Sequence, residues 1–466
     1  MRDAVFTVIA NNYLPFARVL MQSLREFAPD VRRFVILVDR LDGSWDPAEE
    51  DFEVILSTDL GLPDSTWFHF KYMILELSTA VKPYAAQHLF ERFALDRLLY
   101  FDPDIRLYRR VDDVLEALLR HSIVLTPHLT APIRDGKRPG ELDVLRSGAY
   151  NLGFIGMRAT QETWDFLAWW QEKLFTHCVV DFAKGLFVDQ RWVDLVPGLF
   201  DGVGILRDPG LNVAYWNLNA RTVVKGEDGY TVNGRSLCFF HFSGFDPENP
   251  ERLSKHQDRF VLEAVGDAAE LARDYGRLLL KNGYADCRQT RYAYGWFANG
   301  KRIPMVGRAV HQVDPTLPAR LSDPFSAEGY AEFVAIWNTP MEMPDGRRSS
   351  LTRLAYRIYQ ARPDLQAAMP DIFGADYARF LHWLLTSGIQ EHSLPEELTA
   401  PLSAALRESE GKGHTVVPAI LNNRITQAVL KARELTATHE PIEAAGLNQM
   451  TGTEKPARLT YLAAAI

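Results

Sequence analysis

Residues 98–108 read LLYFDPDIRLY, an apolar run that ends in two aspartates, Asp102 and Asp104, on either side of Pro103. Residues two apart on an extended chain point to the same side, so the two carboxylates face the same way and repel each other. A divalent cation would relieve that repulsion, since carboxylate oxygens suit hard ions such as Mg²⁺ and Mn²⁺. By itself, the tripeptide fits a solvated turn better, because Asp and Pro are common in turns.

Around this stretch, the first half of the chain alternates strand-like and helix-like segments. Strands are predicted at 4–10, 33–39, 52–58, 97–104, 122–128 and 151–157, and helices at 16–27, 70–95 (broken near Pro83), 112–120 and 160–175. This alternation predicts an α/β fold with a mostly parallel sheet and flanking helices. Ligands of such sheets bind beyond the carboxyl ends of the strands, where Asp39, Asp102, Asp104 and His128 lie.

The pattern changes further along the chain and suggests several domains. Short β segments follow from about residue 203, with a hairpin turn at 225–229. After about residue 250 the chain reads as helical, with Asn249 and Pro250 as a helix start. We therefore predict an α/β domain at 1–250 and an all-α C-terminal region, which comprises a helical extension or lid at 251–314, a small helical accessory domain at 315–410 and a helical or partly disordered tail at 411–466.

Composition excludes several classes of protein. The 466 residues include 47% hydrophobic residues, enough for a sizeable core, and carry a net charge of −9, which argues against a nucleic-acid binder. The three cysteines, Cys178, Cys238 and Cys287, are widely spaced and are expected to be free thiols of a reducing compartment. The apolar run at the N-terminus is too short for a signal peptide, and no run approaches the ~18 apolar residues of a membrane span. We expect a cytoplasmic protein; peripheral contact with the inner face of the membrane and a homo-oligomer stay open.

A candidate third ligand follows a strand far downstream. In FFHFSGF, residues 239–245, His241 ends an apolar run. By itself, His241 fits a strand histidine with its hydrogen bonds made within the protein better than it fits a metal ligand. Together with Asp102 and Asp104, it suggests a metal site of two carboxylates and one imidazole, a set that suits Mn²⁺ and, less well, Mg²⁺.

Six segments, in this order along the chain, together resemble the retaining family 8 glycosyltransferases of the GT-A fold. They are VIANNYLPFARVLMQSL (8–24), STAVKPY (78–84), FDPD (101–104), YNLGFIGM (150–157), GLFVDQRWVDLV (185–196) and HFSG (241–244). FDPD resembles the family's DxD motif, and HFSG resembles its late HFxG motif. The resemblance covers about the first 250 residues and implies a Rossmann-like GT-A domain that binds a nucleotide sugar.

The resemblance also implies roles for individual residues. It makes Asp102, Asp104 and His241 the ligands of Mn²⁺ (or Mg²⁺). With Asp39 added from its position at a strand end, the expected donor-binding residues are Ala10, Asn11, Asn12, Tyr13, Asp39, Lys82, Asp102, Gly244 and Lys255. The expected catalytic residues are Asn151, Asp189 and Gln190. One departure stands out: Pro247 occupies the position of the family's phosphate-binding lysine, and Lys255, beside His256, is the nearest replacement.

The predicted reaction is sugar transfer from a nucleotide sugar, with a UDP-sugar as the expected donor, and with retention of the anomeric configuration. Gln190 is a poor nucleophile and Asp189 is expected to bind sugar hydroxyls, which favours front-face attack over double displacement. The acceptor would be a glycan or a lipid-linked saccharide, with His128 and Arg146 as candidates to line its side of the site. Most tryptophans are expected in the core, and one of Trp169, Trp170, Trp192 and Trp216 could serve as a sugar platform.

Two other functions remain as alternatives. The first is a nucleotidyltransferase of related fold, which usually carries a glycine-rich basic loop after the first strand. Residues 10–16, ANNYLPF, contain neither glycine nor a basic residue. The second is a non-catalytic module that binds a glycan or a nucleotide, against which the intact acidic pair, His241 and Gln190 argue.

Overall fold

The part of the chain that can be described comprises residues 1–309, 323–342 and 348–411 of a computed structural model. The chain divides into two compact units, Met1–Trp337 and Asn338–Ile466. The domain boundaries predicted after residues 250, 314 and 410 stay predictions. The predicted tail at 411–466 lies outside the described residues, apart from its first residue.

A seven-stranded sheet forms the centre of the first unit. The strands of this unit are β1 Asp3–Ile9, β2 Arg32–Leu37, β3 Glu53–Leu56, β4 Arg97–Phe101, β5 Ile105–Leu107, β6 Ile123–Pro127, β7 Tyr150–Arg158, β8 Val180–Asp181, β9 Leu186–Phe187, β10 Val203–Ile205, β11 Val223–Gly226, β12 Gly229–Val232, β13 Arg235–Ser236 and β14 Phe239–His241. The order in the large sheet is β10-β6-β7-β4-β1-β2-β3. Only β7 runs antiparallel to its neighbours in it, β4 and β6. The predicted class, α/β with a mostly parallel sheet, is confirmed.

Helices flank this sheet, and most of them bury an apolar face. They are α1 Leu14–Phe27, α2 Ser65–Lys71, α3 Ile74–Ala80, α4 Lys82–Phe93, α5 Asp112–Arg120, α6 Glu141–Ser147, α7 Gln161–His177, α8 Gln190–Val193, α9 Val196–Leu199, α10 Ala268–Lys281, α11 Tyr284–Cys287 and α12 Ala327–Trp337. In α1, Leu20 and Leu24 lie four residues apart and are fully buried. At the start of α7, the Thr160 side chain accepts a hydrogen bond from the Thr163 backbone, which confirms the predicted cap.

A short antiparallel pair outside the large sheet brings distant residues together. Strand β14 pairs with β5, so that His241 lies opposite Ile105. Because β5 starts directly after the FDPD turn, this register places the end of β14 beside the acidic pair. The hairpin predicted at 225–229 is also confirmed, since β11 and β12 pair with Gly226 opposite Gly229.

Three local expectations were wrong. The strand predicted at 97–104 ends at Phe101, because Asp102 begins a turn in which the Ile105 N–H donates to the Asp102 carbonyl. The loop expected up to about residue 145 contains α6. No helix starts at Asn249–Pro250, because the Asn249 N–H donates to the Asp246 carbonyl and closes a turn there.

The second unit is helical apart from one strand pair. Its elements are β15 Pro340–Glu342, β16 Arg348–Thr352, α13 Arg353–Gln360, α14 Pro363–Ala368, α15 Tyr377–Trp383, α16 Ile389–His392 and α17 Glu396–Gly411. Leu354, Ile358, Phe380 and Leu398 form part of its core and are fully buried. None of the described helices in either unit is long and apolar enough to cross a membrane.

Candidate functional site

Asp102, Asp104 and His241 converge where β4 ends. The Asp102 N–H donates to the Gly153 carbonyl on the neighbouring strand β7, at 2.7 Å, which fixes the start of the turn. The His241 Nε2 atom lies 2.9 Å from the Asp104 Oδ1 atom and 3.8 Å from the Asp102 Oδ2 atom. Each residue offers one ligand atom, and these three atoms all lie within 4.8 Å of one another. The structure therefore brings together the three predicted metal ligands.

The chemistry of this cluster fits a divalent cation. His241 is buried, and burial alone would lower its pKa, but the negative charges of Asp104 and Asp102 outweigh burial and raise it. The imidazole thus lies in a strongly negative environment. Two carboxylates and one imidazole are a donor set that a divalent cation accepts, so the cluster could hold such an ion.

A buried ion pair adjoins the cluster. The Lys82 Nζ atom lies 2.9 Å from the Asp189 Oδ2 atom and 3.7 Å from the Asp102 Oδ1 atom, and it donates to the Leu152 carbonyl at 3.0 Å. Lys82 and Asp189 are 3% and 1% exposed, so neither charge is solvated. Burial lowers the pKa of Lys82, but Asp189 and Asp102 outweigh it and the pKa is raised; the lysine therefore stays charged. Lys82 is thus a fixed cation beside the acidic pair.

The predicted catalytic amides are used to hold the backbone around the site. The Gln190 side chain accepts from the Leu152 N–H at 3.0 Å and donates to the Ser147 carbonyl at 2.8 Å. The Asn151 Oδ1 atom accepts from the Gly153 N–H at 3.2 Å and from the Asn212 side chain at 3.0 Å. Both amides therefore position β7 and its neighbours, and their catalytic roles stay predictions.

His128 and Trp216 lie in the same buried network. The Asn151 Nδ2 and His128 Nε2 atoms are 3.1 Å apart. The Trp216 ring lies between two histidines, with centroid distances of 5.3 Å to His128 and 5.1 Å to His241. Burial lowers the pKa of His128 to about 4, so this ring is neutral at pH 7. Trp216 is buried, and its ring contacts the ring of His241, a member of the cluster.

The residues expected to bind the nucleoside include one exposed ring and several polar groups that already have hydrogen-bond partners. Asn11 donates to the Arg40 carbonyl at 2.8 Å and accepts from the Trp45 indole at 2.9 Å. Both Asp39 oxygens accept backbone hydrogen bonds, including one from Ala293 at 2.9 Å. Tyr13 is 41% exposed, and desolvation, with the charges of Asp104 and Asp102, raises its pKa to about 12. Tyr13 is therefore both near the cluster and open to a ligand.

The remaining predicted residues are distributed differently. Ala10 is buried and Asn12 half-buried in the turn before α1. Gly244 follows β14 by three residues and has a φ of +70°. Lys255 and Arg146 are exposed, and the charges that act on Lys255 are those of Asp246 and Arg252 rather than the acidic pair. The donor-binding roles predicted for Ala10, Asn12, Gly244 and Lys255 stay predictions.

Sequence analysis missed two residues at the site. The Tyr100 hydroxyl donates to the Asp102 Oδ1 atom at 2.5 Å, which orients the first carboxylate of the pair. Asn212 links Asn151 to Thr126, donating to the Thr126 hydroxyl at 2.9 Å. Tyr100 lies two residues before Asp102 on β4, and that spacing could have indicated that it faces the same side. Asn212 follows no strand or helix period and gave no such signal.

Comparisons with known proteins give partial similarities. No family model matches the chain. Two Bacillus subtilis (strain 168) proteins described as uncharacterized are similar to parts of it: YfnF is 31% identical over 156 residues, 32% of this chain and 50% of YfnF, and YfnD is 32% identical over 102 residues, 22% of this chain and 33% of YfnD. The chain thus spans half or less of the length of these relatives.

Solved glycosyltransferase structures are also similar. The galactosyltransferase LgtC, in complex with donor and acceptor sugar analogues, is 14% identical with a TM-score of 0.37 and covers 60% of this chain and 95% of its own. The glycosyltransferase GlyE of Streptococcus pneumoniae TIGR4 is 14% identical with a TM-score of 0.34 and covers 64% of this chain and 67% of its own.

Proposed function

We propose that the protein is a metal-dependent glycosyltransferase of the GT-A type that transfers a sugar from a nucleotide-sugar donor, with UDP as the first candidate nucleotide. The single observation that carries the proposal is the convergence of Asp102, Asp104 and His241 beside the buried Lys82–Asp189 pair. These residues come from four separate segments of the sequence, and all of them belong to the six segments that resemble the retaining family 8 enzymes.

The residues of this chain would divide the chemistry between them. Asp102, Asp104 and His241 would hold Mn²⁺ or Mg²⁺, which supplies a Lewis acid that stabilises negative charge on the leaving diphosphate. Lys82, already fixed by Asp189, adds positive charge near the same oxygens without reorganising during the reaction. Tyr13 offers an exposed ring for the nucleobase.

In this proposal, the side of the site that faces the transferred sugar is formed by Asp189, Gln190 and Asn151. Asp189 orients Lys82 and a sugar hydroxyl, while Gln190 and Asn151 hold β7 beneath them. Neither amide is a nucleophile, so transfer with retention would proceed by front-face attack. The acceptor is a glycan or a lipid-linked saccharide. NMR of the product linkage tests retention, and an inverted anomer contradicts it.

Nucleotide release from UDP-sugars is the first experiment. The full-length protein should release UDP in the presence of Mn²⁺, and EDTA or Asp104→Asn should abolish the release. Asp228→Asn removes an exposed acid in the β11–β12 turn and is the matched control, expected to retain activity. Absence of metal-linked binding to any nucleoside diphosphate would exclude the proposal, and pyrophosphate release from nucleoside triphosphates would favour the nucleotidyltransferase.

A further inference from the structure

The chain after β14 turns back against the site through residues 254–259, which we call the return segment. The Lys255 N–H donates to the Gly244 carbonyl at 2.9 Å, and the His256 N–H donates to the Ser254 hydroxyl at 3.2 Å. A Cβ atom at Gly244 would lie 2.3 Å from the His256 Cδ2 atom and 2.7 Å from its Nε2 atom. The His256 imidazole therefore packs directly against the backbone of Gly244, three residues after His241, in space that only glycine leaves free.

Aromatic rings connect His256 to the metal-binding cluster. The His256 ring centroid lies 6.2 Å from that of Tyr215, which is 5.0 Å from Trp216, which in turn is 5.1 Å from His241. The negative charge of Asp104 also acts on His256, whereas it does not figure among the charges that act on Lys255. Tyr215 and Trp216 therefore link the His256 imidazole to the cluster.

The imidazole has hydrogen-bonding capacity that the protein does not use. His256 is half-buried, and neither of its ring nitrogens has a hydrogen bond within the described part of the chain. Burial, with the positive charge of Lys255, lowers its pKa to about 4. At pH 7 the ring is therefore neutral and offers one N–H donor and one acceptor nitrogen.

A clasp with the loop after β6 holds the return segment in place. The Arg259 guanidinium pairs with Asp135, with Nε 2.6 Å from Oδ2, and donates to the carbonyls of Lys137 and Pro139 at 3.0 and 2.9 Å. Beside it, the Arg138 N–H donates to the Asp258 carboxylate at 2.7 Å. The Arg259 side chain is 3% exposed, whereas that of Asp135 is 38% exposed, so the guanidinium is buried beneath a carboxylate at the surface. His256 is thus held between Gly244 and the clasp before any ligand binds, which lowers the entropic cost of using it.

We propose that His256 is a further donor-binding residue whose ring N–H hydrogen-bonds an oxygen of the nucleoside diphosphate at the Asp102/Asp104/His241 cluster. This inference rests on the proposed function. It assigns to His256 the phosphate contact for which the sequence suggested Lys255. The divalent cation and Lys82 would neutralise the charge of the diphosphate. A neutral N–H donor held in a fixed position can then bind one of its oxygens without adding charge.

Calorimetric titration of the full-length protein tests this role. The probe is UDP with Mn²⁺, and GDP, dTDP or ADP replaces it if one of them binds better. His256→Ala should weaken binding about tenfold, the usual size for loss of a hydrogen bond to a charged group, without lowering the melting temperature. His256→Gln keeps an N–H donor and should weaken binding less. His382→Ala, which removes an exposed histidine of the second unit, should bind as the unaltered protein does.

The outcomes separate this inference from the proposed function. Unaltered protein that binds none of the four diphosphates with Mn²⁺ contradicts the proposed function, and the role of His256 falls with it. Unaltered protein that binds, with His256→Ala equal to it, overturns the inference alone. The inference is also overturned if Lys255→Ala weakens diphosphate binding and His256→Ala does not. It is likewise overturned if His256→Gln binds the diphosphate as weakly as His256→Ala does. If His256→Ala does not fold, His256→Phe, which keeps a ring but has no N–H donor, takes its place and should weaken binding about tenfold. Binding by that variant equal to that of the unaltered protein overturns the inference.

Discussion

Lys82 shows at the scale of one residue how the site is held together. Its ammonium group is buried with Asp189, and Lys82→Ala would leave that carboxylate buried without a partner. We expect Lys82→Ala to lower the free energy of unfolding by about 3–5 kcal/mol, because breaking a buried pair leaves an uncompensated charge. Lys82→Met combined with Asp189→Leu should recover most of this loss. Urea unfolding followed by circular dichroism measures both effects.

A surface pair supplies the control for that prediction. Lys173 pairs with Glu172 at 2.6 Å, and the Glu172 side chain is 71% exposed. Lys173→Ala should change the free energy of unfolding by no more than about 1 kcal/mol, because solvent screens exposed pairs. Equal losses for Lys82→Ala and Lys173→Ala would contradict a buried role for Lys82.

His128 predicts how stability depends on pH. Its pKa in the folded protein is about 4, below the ordinary 6.5, so the unfolded chain takes up the proton first as the pH falls. Its contribution is fully present above pH 6.5 and is lost as the pH falls towards 4, by about 2 kcal/mol between pH 7.5 and pH 5. His241, whose pKa is raised, changes in the opposite direction.

Because these two histidines have opposite effects, the role of His128 is tested by comparing variants with the unaltered protein. His128→Gln should reduce the loss of unfolding free energy between pH 7.5 and pH 5, measured by urea titration at each pH. His382→Gln, at an exposed position, should leave the loss unchanged. A pH dependence that is the same in His128→Gln and the unaltered protein would show that His128 is not the group responsible.

Strand β7 shows how one element shapes the cluster. A Cβ atom at Gly153 would lie 2.3 Å from the His241 Cε1 atom and 2.8 Å from the Asn151 Oδ1 atom. Gly153→Ala should therefore push the imidazole away from Asp104, weaken Mn²⁺-linked nucleotide binding at least tenfold and cost roughly 1–3 kcal/mol of stability through overpacking. Gly198→Ala is the matched control, because no atom lies within 4 Å of the added Cβ. Calorimetry in which both variants bind equally well would contradict this account.

Helices α5 and α6 show how a regularly spaced buried face makes an element predictable from the sequence. Helix α5 was predicted with its observed bounds, Asp112–Arg120, because its buried Val114, Leu115 and Leu118 repeat with the helical period. Helix α6 was missed because it has no buried residue: Leu142 and Leu145 are 72% and 65% exposed. Its start depends instead on the Asp143 carboxylate, which accepts from the Gly140 N–H at 2.9 Å.

At the scale of the whole molecule, the sequence predicted which segments matter but not which atoms meet. The metal ligands were proposed from residue types and the order of motifs, and the pairing of β14 with β5 brings them together. The use of Gln190 as a backbone support and the clasp between Arg259 and Asp135 depend on contacts between residues 38 and 124 positions apart. No local period encodes such contacts, so only the folded chain reveals them.

The division into two units predicts where the chain can be cut. Helix α12 belongs to the first unit, where Phe333 contacts Phe297 and Phe70 at centroid distances of 5.0 and 5.9 Å. A chain of residues 1–337 keeps this packing and every residue of the candidate site, so we expect it to melt cooperatively and to bind Mn²⁺ and UDP as the full chain does. A chain of residues 1–314 loses α12, exposes Phe70 and Phe297, and should melt at a lower temperature. Calorimetry tests this by measuring the melting temperature and the nucleotide affinity of both chains. Asp104→Asn in the longer chain is the control for binding. Equal melting temperatures of the two chains would show that α12 is not part of the core of the first unit.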